Sequence, residues 1–166
     1  DSWQTPERRV KQNRNILMKS SPNGIEKMAG LSEEASEIVA EFQFLDDWDD
    51  RYQYLIGMGR KLPPLDAAIM TEENRLRGCQ SVVHFKAYFA DGHMRYQAGS
   101  DAAIVQGLIA LMMRVYSGRT PDEILANPPH FLTEIGLDEH LSPTRKNGLA
   151  SMVTAIMDAA QDHAGK

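Results

Sequence analysis

The sequence predicts an α+β domain in which a small antiparallel β-sheet packs against several α-helices. Three observations carry this. Apolar residues recur at helical spacing over 32–59, the period switches to strict alternation over 81–98 around an Asp91-Gly92 pair, and helical spacing returns from Ile104 onward.

Ser32 is the expected N-cap of the first helix, with Ala35, Ile38, Val39, Phe42 and Leu45 along one face. Asp47 is placed to cap a second helix whose stripe runs through Trp48, Tyr52, Leu55, Ile56 and Gly59, and Pro63-Pro64 stop it. Residues 65–78 are charged and aperiodic, which predicts a long loop leading into Cys79. Ser81, Val83, Phe85, Ala87 and Phe89 then share one parity, as do Met94, Tyr96 and Ala98, so two strands flank the Asp91-Gly92 hairpin turn. Ser100 or Asp101 is expected to cap a largely buried helix running from Ile104 to Tyr116 and ending at Gly118. Thr120-Pro121-Asp122-Glu123 is a capping box with proline in the first turn, predicting a short helix. A further turn is expected over His130–Ile135. Ser142-Pro143 opens the last helix, which turns Leu149, Met152, Val153, Ile156, Met157 and Ala160 inward.

The chain has 166 residues, 42% apolar and 25% charged, in keeping with one ordinary globular domain, placed at 31–162. No stretch approaches the roughly 18 apolar residues of a membrane span, and no secretory pattern is visible, so a cytoplasmic protein without a membrane partner is expected. A net charge of −5 opposes a nucleic-acid surface. Residues 1–30 nevertheless carry six Lys or Arg against three Asp or Glu, and contain few core-building residues. They read as a basic, poorly ordered N-terminal extension rather than a binding arm.

Cys79 is the single cysteine, which excludes an internal disulfide and any cysteine-built zinc or iron–sulfur site within one chain. The five histidines show no metal-ligand spacing, so no metal or cofactor of its own is expected. A lone cysteine is more often an inert small hydrophobe than a nucleophile. Its neighbours favour reactivity: Gly78 permits a tight backbone, Gln80 and Ser81 offer donors to a sulfur anion, and the site falls at a loop-to-strand junction. Arg77 beside it reads as a surface charge.

The run Gly78-Cys79-Gln80-Ser81 resembles the persulfide-accepting motif of the SufE family, whose members, of SufE or CsdE type, are sulfur-transfer partners of SufS and CsdA type cysteine desulfurases. The resemblance extends through Tyr54-Leu55-Ile56-Gly57-Met58-Gly59-Arg60-Lys61-Leu62-Pro63, Asn74, the block Ser100 to Ile109 and the block Leu141 to Leu149, covering roughly residues 42–158. It implies a SufE/IscU-like fold and a role as sulfur acceptor. Cys79 would take persulfide sulfur from a desulfurase that holds its own pyridoxal phosphate, stimulate that enzyme, and deliver sulfur to an iron–sulfur scaffold. The chain would then be an activator and carrier rather than an enzyme by itself, with homodimerisation left open. The resemblance also implies a sheltered persulfide, and the 71–78 loop is expected to swing outward when the desulfurase docks.

Asp101 and Arg145 fall in the matching blocks, where opposite charges would pair and hold the Cys79 loop; alternatively Asp101 only caps its helix and Arg145 is a surface charge. Family members usually carry tryptophan where His84 stands. A Cys/His hydrolase reading of that histidine is opposed by strand parity, since residues five apart face opposite ways if both are extended. Two other classes compete with the carrier: an iron–sulfur scaffold, which needs about three protein ligands, and a small cysteine-dependent enzyme or redox sensor.

Overall fold

The computed structural model of the chain describes residues 5–7, 10 and 30–166. The expected N-terminal extension falls mainly on residues outside that set. Within it, Val10 is buried in the hydrophobic core and Glu7 Oε1 lies 3.6 Å from Lys61 Nζ.

From Leu31 onward the order is α1 (Leu31–Gln43), α2 (Trp48–Arg60), a hairpin of β1 (Val83–Ala90) and β2 (His93–Ser100), α3 (Ala103–Tyr116), α4 (Pro121–Ala126), α5 (His130–Glu134), α6 (Leu137–His140) and α7 (Pro143–Asp162). The loop expected over 65–78 contains two single 3-10 turns, Ala67–Ile69 and Glu72–Asn74, too short to leave a periodic signal. α6 is likewise a single turn that the sequence reading does not contain. This is the α+β arrangement expected, with the sheet reduced to two strands.

α3 is the central element. Its apolar side chains are buried on nearly every side, because α2 covers one flank, β2 another, and α1 and α7 the remainder. The crossing with α2 is backbone on backbone. A Cβ added to Gly59 would lie 2.7 Å from Gly107 N, and one added to Gly107 would lie 2.4 Å from Leu55 O. These two glycines are required by that approach.

Buried charge also ties α1, α2 and α3 together. Arg114 donates to both carboxylate oxygens of Glu41, at 2.7 and 2.6 Å, and through Nε to Glu34. Tyr54 Oη donates to Glu41 Oε2 at 2.5 Å. A bidentate guanidinium and a phenol give Glu41, only 4% exposed, the partners that a buried carboxylate requires.

The helix starts test the local readings one by one. Asp47 accepts from Asp50 N, Thr120 from Glu123 N and Ser142 from Arg145 N, as expected. Ser32 is not the cap of α1. Gly30 is, and the acceptor comes from elsewhere: Leu31 N donates to Glu123 Oε1 at 2.9 Å. Glu123 therefore serves α1 rather than closing the capping box of its own helix. At α3, neither Ser100 nor Asp101 is the N-cap. Ala102 holds that position, Ser100 Oγ accepts from Ala102 N, and Gln106 Oε1 accepts from Ser100 N.

In the hairpin, Asp91 (φ 54°) and Gly92 (φ 78°) make the two-residue turn, pairing Ala90 with His93 and Val83 with Ser100. Met94 and Tyr96 point into the core and Arg95 and Gln97 out to solvent. Both outer edges receive a single further bridge, Arg75 to His84 beside β1 and Arg119 to Met94 beside β2. Tyr96 Oη donates to Ile156 O at 2.9 Å and fixes α7 against the sheet.

Candidate functional site

Cys79 does not lie on β1. It sits in a loop whose neck is closed by Leu76 N donating to Val83 O at 2.8 Å, next to the Arg75–His84 bridge. Strand parity therefore says nothing about Cys79 and His84. What opposes a Cys/His pair is the lining of the Cys79 pocket, which contains no histidine.

Within this loop Gly78 takes a left-handed conformation, φ 86°, and turns the chain toward α7. The approach is close: a Cβ at Gly78 would stand 2.5 Å from Ser151 Oγ, a side-chain atom that would have to turn away. Cys79 follows, half-buried, with Sγ 3.7 Å from Gly148 O. A Cβ at Gly148 would lie 3.5 Å from Sγ. The sulfur thus rests on a stretch of α7 that is bare of side chain.

A cavity of about 240 Å³ opens beside it. Gln80 and Ser81 form one wall, Ser142, Thr144 and Arg145 from the start of α7 another, and Val105 of α3 with Leu149 and Met152 the apolar floor. Polar rim and apolar floor suit a small polarisable group attached to sulfur.

Burial pushes the Cys79 thiol above its ordinary pKa. The contact with Gly148 O acts in the same direction, since a thiol can donate to a carbonyl and a thiolate cannot. Burial in the inward position thus favours the protonated thiol over the thiolate. Neither Gln80 nor Ser81 donates to Sγ; both line the cavity instead.

Arg145 also lines the cavity, whereas Asp101 is exposed and accepts from Ser100 Oγ at 3.5 Å. No ion pair joins Asp101 to Arg145, so that expected clasp is not formed; the neck bonds and the seat on α7 hold the loop instead. Arg77 is exposed. Among the described residues no group of His, Cys, Asp and Glu side chains is arranged to hold a metal. No described helix is long and apolar enough to cross a membrane.

Gly148, Ser151, Val105 and Met152 are site residues whose place beside Cys79 the sequence reading does not give: Val105 and Gly148 fall in the blocks that carry the family resemblance, Met152 reads as an inward helix position, and Ser151 is not singled out. One signal was present for Gly148: an interior helical glycine costs about 1 kcal/mol relative to alanine, which asks for a packing reason.

Fold and site together define an α+β domain that presents one cysteine from a pinned loop over a helix. Residues 36–160 match the family model described as SufE, Fe-S metabolism associated domain. An uncharacterized SufE-like protein of Rhizobium etli is 42% identical over 130 residues, covering 75% of this chain and 88% of that one. A counterpart in Rhizobium meliloti is 38% identical over 130 residues, with 75% and 93% covered. The SufE-like protein 1 of Arabidopsis thaliana, chloroplastic/mitochondrial, is 36% identical over 142 residues, 85% of this chain but 38% of that longer protein. The chain belongs to the SufE family, and so to proteins associated with iron–sulfur metabolism. The solution structure of a hypothetical protein from Thermus thermophilus shares the fold, with a TM-score of 0.67 at 23% identity, over 80% of this chain and 97% of that one.

Proposed function

We propose that this protein accepts sulfur on Cys79 from a SufS or CsdA type cysteine desulfurase, stimulates that enzyme, and hands the sulfur on for iron–sulfur cluster assembly in the cytoplasm. The observation that carries the reading is the placement of the sole cysteine. It is half-buried beside a small cavity, within a loop closed at its neck by Leu76 and Val83, in a chain of the SufE family.

The chemistry is a displacement between sulfurs with no net oxidation. The Cys79 thiolate attacks the outer sulfur of the desulfurase persulfide. A new S–S bond forms on Cys79, the partner's S–S bond breaks, and the partner cysteine leaves as thiolate. One nucleophilic sulfur suffices, and no resolving cysteine is needed. Because burial favours the protonated thiol, activation belongs to the outward position or to groups of the desulfurase. The pyridoxal phosphate that releases sulfur from free cysteine is the desulfurase's own.

The test is to mix the protein with such a desulfurase and free cysteine and record intact mass. One added sulfur on the wild type, none on Cys79→Ser, and faster desulfurase turnover with the wild type only are the expected results. A wild type that gains no sulfur removes the proposal. A cluster scaffold has less support, since one cysteine per chain falls short of the thiolates such a site uses.

A further inference from the structure

Among the described residues no ion pair stands behind the inward position of Cys79, so other contacts set it. Two contacts with α7 are available. Gly148, whose carbonyl oxygen lies 3.7 Å from Sγ, is one; Ser151, three residues on, is the other, its Oγ against Gly78. Residues three apart lie on the same helical face, so the pair forms a single seat for the Gly78-Cys79 dipeptide. The fit is tight on one side only. A Cβ on Gly148 would meet Sγ at ordinary contact distance, 3.5 Å, whereas a Cβ on Gly78 would overlap Ser151 Oγ at 2.5 Å.

We infer that Ser151 is a positioning residue for sulfur transfer: its contact with the bare Gly78 sets how completely Cys79 is turned in against Gly148, and hence how well the carried sulfur is sheltered. Bulk at the Gly78–Ser151 contact that a turn of the Ser151 hydroxyl does not absorb tilts the loop outward and uncovers the sulfur. The loop beyond the neck can tilt while the neck itself, the Arg75–His84 bridge with its Leu76–Val83 hydrogen bond, stays seated on the core through Leu76 and Val83.

The inference deepens the proposed function, but its main test does not depend on a desulfurase. The readout is the rate of Cys79 alkylation by neutral iodoacetamide, followed against pH, with thermal melts alongside. Ser151→Leu and Gly78→Ala are expected to react faster by at least about ten-fold, which corresponds to about 1.4 kcal/mol of tilt. The pH midpoint of reaction should fall in both, as the sulfur leaves its desolvated position.

Gly78→Ala also carries the strain of its positive φ, so the decisive variant is the pair Gly78→Ala with Ser151→Ala. With Oγ removed, the nearest Ser151 atom to the new Cβ is its own Cβ at 3.6 Å, an ordinary contact, while the strain is unchanged. Most of the added reactivity should therefore vanish when the pair is compared with Ser151→Ala alone. A pair that alkylates as fast as Gly78→Ala overturns the inference, as does Ser151→Leu reacting like the wild type at an unchanged melting temperature. If Ser151→Leu fails to fold, the Gly78→Ala series still decides the matter from the loop side.

A second arm loads the persulfide chemically and follows its loss to a small thiol reductant, which should be faster in Gly78→Ala than in the pair. Failure of the wild type to take sulfur from a desulfurase would end the proposed function and leave the alkylation result standing. Absence of coupling in the alkylation series would end the inference and leave sulfur acceptance standing.

Discussion

Replacing Gly107 by alanine puts the helix crossing at the centre of the domain to the test. The added Cβ would lie 2.4 Å from Leu55 O, 2.7 Å from Leu55 C and 3.2 Å from Leu55 Cβ. The first two are backbone atoms of α2, so no rotamer change relieves the clash, and the helices must separate by roughly 1 Å to restore contact distances of about 3.5 Å. Overpacking of this kind costs about 3 kcal/mol at the upper end, against which alanine gains about 1 kcal/mol of helix propensity over glycine. The net expectation is a loss of about 2 kcal/mol. In urea, with a slope of about 2 kcal/mol/M, the unfolding midpoint should fall by about 1 M. Gly59→Ala presses on the same crossing, since its Cβ would meet Gly107 N at 2.7 Å. Once one alanine has parted the helices, the second has less to do. The double variant should therefore lose less than the sum of the singles, by at least about 0.5 kcal/mol. A Gly107→Ala protein as stable as the wild type, or strictly additive losses, would refute the argument that the crossing is set by backbone contact.

Arg114→Ala withdraws the guanidinium from Glu41 and Glu34 and should cost about 3–5 kcal/mol in a denaturant titration, the range for breaking a buried pair. Arg114→Lys, which keeps charge but loses the bidentate fork, should recover only part of it. Cys79 links stability to pH. Its pKa is raised on folding, so the folded state keeps the proton after the unfolded chain, with a thiol near about 8.5, has released it. The contribution is complete below that value and is lost as pH rises through the folded one. The stability of the wild type relative to Cys79→Ser should therefore decline in alkali, and a flat difference between pH 7 and the alkaline end would contradict burial as the cause.

Much of the fold was legible because its signals are local. Thr120-Pro121, Asp47, Ser142-Pro143 and Asp91-Gly92 each announce their element within a few residues, and the alternation over 81–98 told which strand residues face inward. The cap of α3 was misread by a residue or two within its own turn, but the other misses are non-local. Ser32 has the chemistry of a cap, but the donor at Leu31 is served by Glu123, far along the chain, which no window around residue 32 contains. Arg114 and Glu41 lie on different helices with nothing periodic to connect them. The site divides in the same way. Cys79 is unique in composition and so was found, whereas its neighbours on α7 are a glycine and a serine that no local pattern connects to the loop.

A hairpin of two strands has two outer edges, each an open row of backbone donors and acceptors for another chain to join. Here each edge is met at one end by a strand of the protein's own loops, Arg119 beside Met94 and Arg75 beside His84. The second of these guards is the stem of the cysteine loop, with Leu76 occupying the carbonyl of Val83. The segment that shelters the nucleophile thus also blunts the sheet against self-association. Shortening it to obtain a permanently exposed thiol would create an adhesive edge, and the aggregation that followed would be one of main chain with main chain rather than of sulfur with sulfur.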